Sequence, residues 1–169
     1  ARLASARIAV QTPTAAIGGG IDVIFPVLHG PYGEDGTVQG LLELANVPYV
    51  GAGVLGSALG MDKAVSKTVF AAHGLSIVPY ITVTAREWEK TPRDVTARAM
   101  SSLRYPVFVK PANLGSSVGI SRASSDGDLA TAIREAFDYD LKIVIESGVP
   151  NAREIECAVL GNGRPEASV

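Results

Sequence analysis

Apolar and polar residues alternate along this chain in a pattern that predicts strands and helices in turn. Residues 22–28, DVIFPVL, form a nearly continuous apolar run that is typical of a buried strand. Four apolar residues then recur at helical spacing: Val38, Leu41, Leu42 and Ala45. Asn46 is predicted to end that helix, and residues 47–51, VPYVG, to form a short strand. The first part of the chain, to about residue 60, is therefore predicted to be a βαβ unit.

The rest of the pattern mixes helices with strands that have hairpin character. Helices are predicted over three stretches: residues 62–72, 91–103 and 129–137, the last with Ser125 or Asp126 as its N-cap. Strands are predicted over five stretches: residues 78–84, 105–111, 118–121, 142–146 and 154–160. Strands that alternate with helices indicate an α/β protein, and a domain boundary is predicted near Leu59 and Gly60.

Composition narrows the class of protein without identifying it. The 169 residues are 47% hydrophobic and 19% charged, which suffices to fill a core and excludes the disordered class. A net charge of −2 and an aromatic fraction of 6% argue against nucleic acid as a partner. No apolar run approaches the roughly 18 residues of a membrane span, so no membrane partner is expected. The single cysteine, Cys157, is predicted to be a buried thiol, and a cytoplasmic location is expected.

The first candidate for chemistry is HGPYGEDGTVQG, residues 29–40, which follows the first predicted strand. A strand that runs into a glycine loop and then a helix brings ligands to its carboxyl end, where free helix N–H groups point. The glycines would let backbone approach an anion closely, and His29 could hydrogen-bond a carboxylate or phosphate. The two acidic residues are expected to cap the helix or hold the loop. From the residues alone, an ordinary strand-turn-helix is an equally strong interpretation.

The second candidate is FVKPANLGSSVGIS, residues 108–121. Lys110 is predicted to end an apolar strand, with its ammonium at the strand end. The segment GSSVG, residues 115–119, has a glycine at each end and two hydroxyls between, which suits a flap over phosphates. It is not a Walker A loop, because there the lysine follows the glycines. The alternative is a hairpin turn of ordinary turn residues, and the lysine within an apolar run favours the functional interpretation.

The third candidate is GMDKAVSK, residues 60–67. Lys63 and Lys67 are four residues apart and share a helix face, so their charges repel each other. A lysine in the first turn also opposes the helix dipole, which a nearby anion would offset. Considered alone, this pattern is better explained by a solvated helix face.

The fourth candidate is KIVIESGVPNAREIE, residues 142–156. A strand, a linker and a second strand could present the backbone of Gly148 and Val149 to a flat base. Glu146 could then accept a hydrogen bond from an exocyclic amine of that base, and Glu154 from a ribose hydroxyl. Considered alone, two glutamates at strand edges in water are the stronger interpretation.

Together, the four motifs resemble those of the D-alanine–D-alanine ligases, of the ATP-grasp superfamily. Residues 29–40 match a signature of His-Gly, two variable residues, Gly-Glu-Asp-Gly, and later Gln-Gly. The segments MDK, FVKP, GSSVG and an apolar strand that ends in glutamate follow in the family's order. The resemblance covers residues 22–169. It implies part of a βαβ pre-ATP-grasp domain, followed by the α+β central domain of an ATP-grasp fold.

The same resemblance implies three segments and a set of site residues. The segments are a partial N-terminal α/β domain (1–60), an ATP-grasp central subdomain (61–150) and the start of a truncated C-terminal ATP-grasp subdomain (151–169). The implied phosphate contacts are Lys63 and Lys110. The implied flap over the phosphates is Gly115, Ser116, Ser117, Val118 and Gly119. Ser116 is also implied to orient the first D-alanine, with His29 nearby. The implied adenine contacts are Glu146 and Val149. The implied ribose contact is Glu154, although the turn before it is one residue longer than the family pattern.

The activity that the resemblance implies is ATP-dependent ligation of two D-alanines through an acyl phosphate, for peptidoglycan precursor synthesis. ATP and Mg²⁺ are the implied cofactors, and a homodimer is expected because family members are commonly dimers. The family's Mg²⁺ ligands would lie beyond residue 169, and its N-terminal substrate glutamate is not found. The chain is therefore expected to be an internal fragment, inactive alone. A D-alanine–D-lactate ligase, another ATP-grasp carboxylate ligase, and a non-catalytic nucleotide-binding module stay open as alternatives.

Overall fold

A computed structural model describes residues 21–168 of the chain, so the first twenty residues of the predicted segment 1–60 lie outside it. The helices in the described part are α1 (Thr37–Ala45), α2 (Val54–Met61), α3 (Lys63–Ala72), α4 (Ala85–Lys90), α5 (Pro92–Ser102) and α6 (Asp126–Phe137). The strands there are β1 (Tyr80–Thr84), β2 (Val107–Pro111), β3 (Ser121–Ala123), β4 (Lys142–Ser147), β5 (Val159–Leu160) and β6 (Glu166–Ala167). None of these helices is long and apolar enough to cross a membrane.

Strands β1 to β4 form one antiparallel sheet in the order β1-β4-β2-β3. The interior strand β4 pairs with β1 on one side and with β2 on the other. Its residue Glu146 stands opposite Tyr80 of β1 and Phe108 of β2. Because side chains alternate between faces, these three residues lie in a row on the same face of the sheet.

The hydrophobic core lies between the other face of this sheet and helices α5 and α6. The sheet side chains on this other face alternate along the strands with those of the row that contains Glu146. Fully buried examples are Val83, Val107, Val109, Ile143 and Ile145. The helices contribute Val95, Ala99, Leu129, Ile133 and Ala136. Helix α6 begins at the predicted N-cap, where the Ser125 hydroxyl accepts a hydrogen bond from the Asp128 N–H. The predicted apolar stripe of this helix is therefore confirmed.

Helix α3 lies against the polar face of the sheet. Its N-cap residue, Asp62, accepts hydrogen bonds from Ala64 N and Val65 N and forms an ion pair with Lys142 of β4. The first residue of the helix, Lys63, donates its N–H to the Ala112 carbonyl, 3.0 Å away and just after β2. These bonds fix the helix, and hence its lysines, over the end of strands β2 and β4.

Helices α1 and α3 and strands β1, β2 and β4 occur where the sequence pattern predicts them. The predicted strand at residues 22–28 is reduced to one parallel bridge between Ile24 and Tyr49. Within the described residues, only 48–50 hydrogen-bond to this segment, through Pro48 O and Val50 N. A strand needs a continuous ladder of partners, so the segment is extended but mostly unpaired. Helices α2 and α4 were not predicted, and the predicted domain boundary falls inside α2.

The alternating segment at residues 154–160 is not a strand along its length. Only Val159 and Leu160 are paired, in a two-stranded hairpin with β6. Cys157 is exposed, so the prediction of a buried thiol is wrong. The physical reason is that residues 151–168 have no second layer to pack against among the described residues, and all of them are exposed.

Candidate functional site

The glycine-rich loop before α1 is held by its two acidic residues. Asp35 accepts hydrogen bonds from Tyr32 N at 2.8 Å and Thr37 N at 2.9 Å, while Glu34 accepts from Gly30 N at 2.6 Å. The expectation that these acids hold the loop is confirmed. Burial acts to raise the pKa of Asp35, but the backbone hydrogen bonds outweigh it and lower that pKa.

Two glycines of this loop are required by the local geometry. Gly36 has φ +95° and is the N-cap of α1, and a Cβ there would lie 2.8 Å from the Val54 carbonyl oxygen. A Cβ on Gly33 would lie 2.6 Å from Leu28 Cβ. The glycines thus let the loop pack closely against the preceding segment and the start of α2.

A carboxylate bridges two lysines on the polar face of the sheet. Glu146 is only 8% exposed. Its Oε2 lies 2.7 Å from Lys67 Nζ, and its Oε1 forms an ion pair with Lys110 Nζ. The stronger interpretation from the sequence, an edge glutamate in water, does not apply to Glu146, because strand β4 is interior and α3 covers this face.

Aromatic rings lie beside both ammonium groups of this cluster. Lys67 Nζ lies 5.3 Å from the ring centroid of Tyr80, and Lys110 Nζ lies 5.8 Å from that of Phe108. A cation over a ring face is attracted by its quadrupole. The rings of Tyr80 and Phe108 stand on either side of Glu146 in the row across the sheet. Aromatic and charged side chains are therefore neighbours on this face.

The balance of charges in the cluster affects the protonation of its members. Burial acts to raise the pKa of Glu146, but hydrogen bonds from Lys110 and Lys67 outweigh it and hold that pKa below its ordinary value. Burial lowers the pKa of Lys63, and the nearby charge of Lys110 lowers it further. A new anion beside Lys63 would therefore stabilise the charged form of that lysine.

Lys63 connects this cluster to the predicted flap. Its Nζ donates to the carbonyl oxygen of Leu114, the residue that precedes Gly115. The flap itself is exposed at Ser116, Ser117 and Val118. A bound anion would compete with that carbonyl for the ammonium, which would link ligand binding to the base of the flap.

The flap has an unusual backbone conformation. Ser116 and Ser117 have φ +49° and +59°, in the left-handed region, and Gly119 has φ +70°. Within the turn, Val118 N donates to Gly115 O at 3.1 Å. Non-glycine residues rarely adopt positive φ, so this loop stores strain at the place where the sequence predicts a ligand contact. The predicted hairpin between β2 and β3 is also present, so the flap is at once a turn and an exposed loop.

An open cleft of about 580 Å³ separates the glycine-rich loop from Lys63 and the flap. The residues that line it and carry polar side chains are Glu34, Gln39, Ser57 and Lys63, and Gly115 closes one end. Gln39 donates from Nε2 to the Gly33 carbonyl at 3.0 Å, while its buried Oε1 has no hydrogen-bond partner in the described structure. The cleft therefore offers both hydrogen-bond acceptors and a cation to a ligand.

Three predicted site residues are exposed and form no ion pair or side-chain hydrogen bond with the cluster among the described residues. His29 is exposed and lines a smaller hollow beside the cleft, with Tyr32 and Leu41 among its neighbours. Val149 follows β4 and is also exposed. Glu154 is exposed and lies outside the helices and strands, and neither an ion pair nor a hydrogen bond joins its side chain to the described part of the chain.

Lys67 is the residue that sequence reasoning left out of the site. Its spacing of four residues from Lys63 placed the two on the same helix face. That signal could have found it, but its partner Glu146 is distant in sequence and only the packing of α3 on the sheet brings them together.

The described residues do not form a metal site. No three side chains of His, Cys, Asp or Glu within residues 21–168 lie together so as to hold a metal ion. The polar groups that this part of the chain offers to a ligand are lysine ammonium groups, which bind anions, and side-chain oxygens, which accept hydrogen bonds.

Two family models match the sequence. The model described as D-ala D-ala ligase C-terminus matches residues 69–169, and that described as D-ala D-ala ligase N-terminus matches residues 4–52. Curated relatives named D-alanine–D-alanine ligase agree with this. That of Geobacillus kaustophilus is 57% identical over 164 residues, which is 94% of this chain and 44% of the relative. That of Chloroherpeton thalassium is 60% identical over 148 residues, 88% of this chain and 40% of the relative.

Solved structures show the same likeness in the fold. The D-alanine-D-alanine ligase from Coxiella burnetii is similar with a TM-score of 0.78 and 44% identity, over 87% of this chain and 40% of that one. The VanG D-Ala:D-Ser ligase from Enterococcus faecalis is similar with a TM-score of 0.78 and 38% identity, over 86% of this chain and 41% of that one. The predicted fold class is confirmed, and the chain spans 40% and 44% of the two curated relatives.

Proposed function

Because this chain belongs to the D-alanine–D-alanine ligase family, we propose that it forms part of a site that ligates two D-alanines with ATP. The reaction would pass through an acyl phosphate of the first D-alanine and would serve peptidoglycan precursor synthesis. The observation that carries this proposal is the cluster of Glu146, Lys67 and Lys110, with Lys63 beside it at the base of a strained flap.

The cluster is suited to one end of a nucleotide. Lys63 and Lys110 would offset the negative charge of the ATP phosphates, since both have ammonium groups near one end of the sheet. Glu146 would accept a hydrogen bond from the exocyclic amine of adenine, and the backbone of Val149 would contact the same base. Glu154, in the exposed segment after β4, would accept a hydrogen bond from the ribose.

The flap and the cleft are suited to the amino acid. Acceptors on Glu34 and Gln39 and the ammonium of Lys63 line the cleft, which matches a ligand with an ammonium and a carboxylate. Ser116 would orient the first D-alanine, and His29 would approach it from the adjoining hollow. Closure of residues 115–119 would exclude water, which otherwise hydrolyses an acyl phosphate.

Mg²⁺ would add charge stabilisation at the phosphates in the complete enzyme. The described residues do not supply its ligands, so the roles proposed for this chain are binding, orientation and exclusion of water. Lys63 and Lys110 would serve the first of these roles.

The activity can be tested in a chimera. We would replace the matching segment of the Geobacillus kaustophilus ligase with this chain and measure D-alanine-dependent release of ADP. We expect activity that requires both ATP and D-alanine. ATP binding without D-alanine-dependent ADP release would instead support a non-catalytic nucleotide-binding module, and absence of both would contradict the proposal.

The second substrate is a separate question. The D-Ala:D-Ser ligase matches this chain with the same TM-score as the D-alanine-D-alanine ligase, which favours a fold common to ligases of different second substrates. A ligase for D-lactate, D-serine or another acceptor is therefore the alternative. Competition between D-alanine, D-serine and D-lactate in the full-length protein that contains this chain would distinguish them.

The division into residues 1–60, 61–150 and 151–169 stays part of the proposal. The boundary at residue 60 agrees with the two family models, which leave residues 53–68 between them. A homodimer and a cytoplasmic location are proposed with it, and sedimentation of the full-length protein would test the first of these.

A further inference from the structure

Lys67 belongs to the cluster that carries the proposal above, but no contact with ATP or D-alanine is assigned to it. Its side chain is 17% exposed. Its ammonium is 2.7 Å from Glu146 Oε2 and 5.3 Å from the Tyr80 ring centroid. A long, charged side chain loses much conformational freedom when it is fixed between two partners. Such a placement indicates that the ion pair of Lys67 with Glu146 contributes to the function of the site.

Lys67 and Lys110 differ in their positions relative to the flap, residues 115–119. Lys110 lies near the end of β2, a few residues before the flap, and Lys63 precedes Lys67 by one turn of α3. Lys63 Nζ donates to the Leu114 carbonyl at the base of the flap, and Lys110 lies near enough to Lys63 for their charges to interact. Lys110 is therefore the lysine of the pair that can turn to a phosphate, while Lys67 stays on the carboxylate.

A shift of Lys110 to a phosphate would take one cation away from Glu146. A buried carboxylate without a paired charge is costly, and it would take up a proton or turn toward another donor. A protonated Glu146 would be a poorer acceptor for an amine. The ion pair between Lys67 and Glu146 Oε2 prevents this protonation, because the pair persists when Lys110 leaves Oε1.

We propose that Lys67 is a positioning residue that keeps Glu146 ionised and oriented, so that Oε1 accepts a hydrogen bond from the 6-amino group of a purine nucleotide. Lys67 thereby determines the preference for adenine over a purine without that amino group. The inference rests on the proposed nucleotide role of Glu146, and it adds a residue and a specificity to it.

The test compares two nucleotides that differ only at this group. Affinities for ATP and for purine riboside triphosphate, which lacks the 6-amino group, are measured by calorimetry on the chimeric ligase described above. A hydrogen bond to a charged acceptor corresponds to roughly a tenfold preference for ATP in the wild type. We expect Lys67→Met to reduce this preference to about twofold while affinity for the analogue changes little. Lys67→Arg, which keeps the cation, should restore most of it.

Two further variants separate positioning from general damage. Arg98→Met removes an ion pair with Glu87 at the surface of α5 and should keep the wild-type preference. In a Glu146→Gln background, Lys67→Met should have no further effect, because the carboxylate that it positions is absent. This second comparison can be made even if Lys67→Met alone folds poorly. Both proteins in it carry Glu146→Gln, so neither contains a buried Glu146 carboxylate that has lost its partner.

The outcomes that overturn the inference are distinct. A Lys67→Met protein with the full preference for ATP contradicts the role of Lys67 alone. Equal weakening for ATP and its analogue would mean that Lys67 binds phosphate or serves only stability. A wild type that binds both nucleotides equally, or neither, contradicts the adenine role of Glu146 and the inference with it.

Discussion

Single side chains in this protein act mainly through charges that the fold brings together. Glu146 is enclosed by Lys67 and Lys110, and Lys63 lies near enough to Lys110 for their charges to interact. Two lysines share this one carboxylate, and Lys63 donates to a backbone carbonyl instead of a carboxylate. Positive charge that is only partly compensated suits the cluster to phosphates, and it predicts which substitutions impair the site.

Substitution of Lys110 by alanine tests the phosphate contact. In the chimeric ligase we expect kcat/KM for ATP to fall by about 100-fold or more, because a preorganised cation is lost near the transferred phosphate. The assay is D-alanine-dependent release of ADP. Lys90→Ala, at the exposed end of α4, is the matched control. Unchanged ATP affinity and rate in Lys110→Ala would refute this role.

Gly119 is the flap residue whose replacement the structure most clearly forbids. It has φ +70°, and a Cβ there would lie 2.7 Å from Tyr139 Cδ2 and 2.8 Å from Pro111 Cγ. We expect Gly119→Ala to lower the free energy of unfolding by about 2 kcal/mol or more. At Gly127, in the first turn of α6, a Cβ would meet only Ser125 Oγ, at an ordinary contact distance of 3.9 Å, so Gly127→Ala should raise that free energy by up to about 1 kcal/mol. Urea unfolding measures both, and equal effects would contradict the geometry.

Among the secondary-structure elements, α3 depends on ion pairs as well as on packing. Asp62 caps the helix and pairs with Lys142 of β4, and Lys67 on the next turns pairs with Glu146 of the same strand. Burial acts to raise the pKa of each carboxyl. The lysine partners outweigh this effect, and backbone hydrogen bonds add to theirs at Asp62. Both pKa values therefore lie below their ordinary ones. The attachment of α3 to the sheet is therefore sensitive to acid.

The pH dependence of stability follows from these two carboxyls. Because both pKa values are lowered in the folded state, the unfolded state binds more protons. The two carboxyls contribute fully to the free energy of unfolding above their ordinary pKa values of 3.8 and 4.5. This contribution is lost as pH falls through the lowered pKa values of the folded state. We expect the free energy of unfolding to fall below about pH 4.5. Urea unfolding at pH 7, 5, 4 and 3 measures it.

Variants of the two carboxyls provide the control for this prediction. Glu146→Gln and Asp62→Asn should be less stable than the wild type at pH 7, with a smaller loss toward pH 3. Glu89→Gln, exposed on α4, should follow the wild-type curve. A wild-type slope in Glu146→Gln would show that this carboxyl does not link α3 to the sheet in the way proposed.

For the molecule as a whole, buried and exposed apolar residues are distributed unevenly. The sheet and helices α5 and α6 enclose the core, whereas Phe25, Val27, Ile155 and Leu160 are each more than 60% exposed. Since regions with few buried contacts open most easily, stability should differ along the chain. The most stable unit is expected to be the four-stranded sheet with its two helices.

Hydrogen exchange would test this distribution. Strands β2 and β4 are paired on both sides, so their amides should exchange slowest. Amides in residues 151–158, which are exposed and outside the regular elements, should exchange within the shortest labelling times. Mass spectrometry of the labelled chain gives both rates. Protection of residues 151–158 equal to that of β4 would contradict the expected order.

The sequence by itself determined the elements whose signals are local. Helices α1 and α6 were predicted from apolar periodicity and from caps at Asn46 and Ser125, and strands β2 and β4 from apolar runs. The motifs also indicated the family, because their order along the chain is itself a sequence property. These predictions held because each depends on residues within a few positions of one another.

Only the tertiary structure decided which partners these elements meet. The pairing of Lys67 with Glu146 requires α3 to pack on β4, and the exposure of Cys157 reflects the lack of a covering layer among the described residues. Likewise, residues 22–28 are a strand in pattern but form a single bridge in the described structure. Ladder hydrogen bonds, ion pairs and burial each need a second segment at the right distance, and local sequence patterns do not specify that distance.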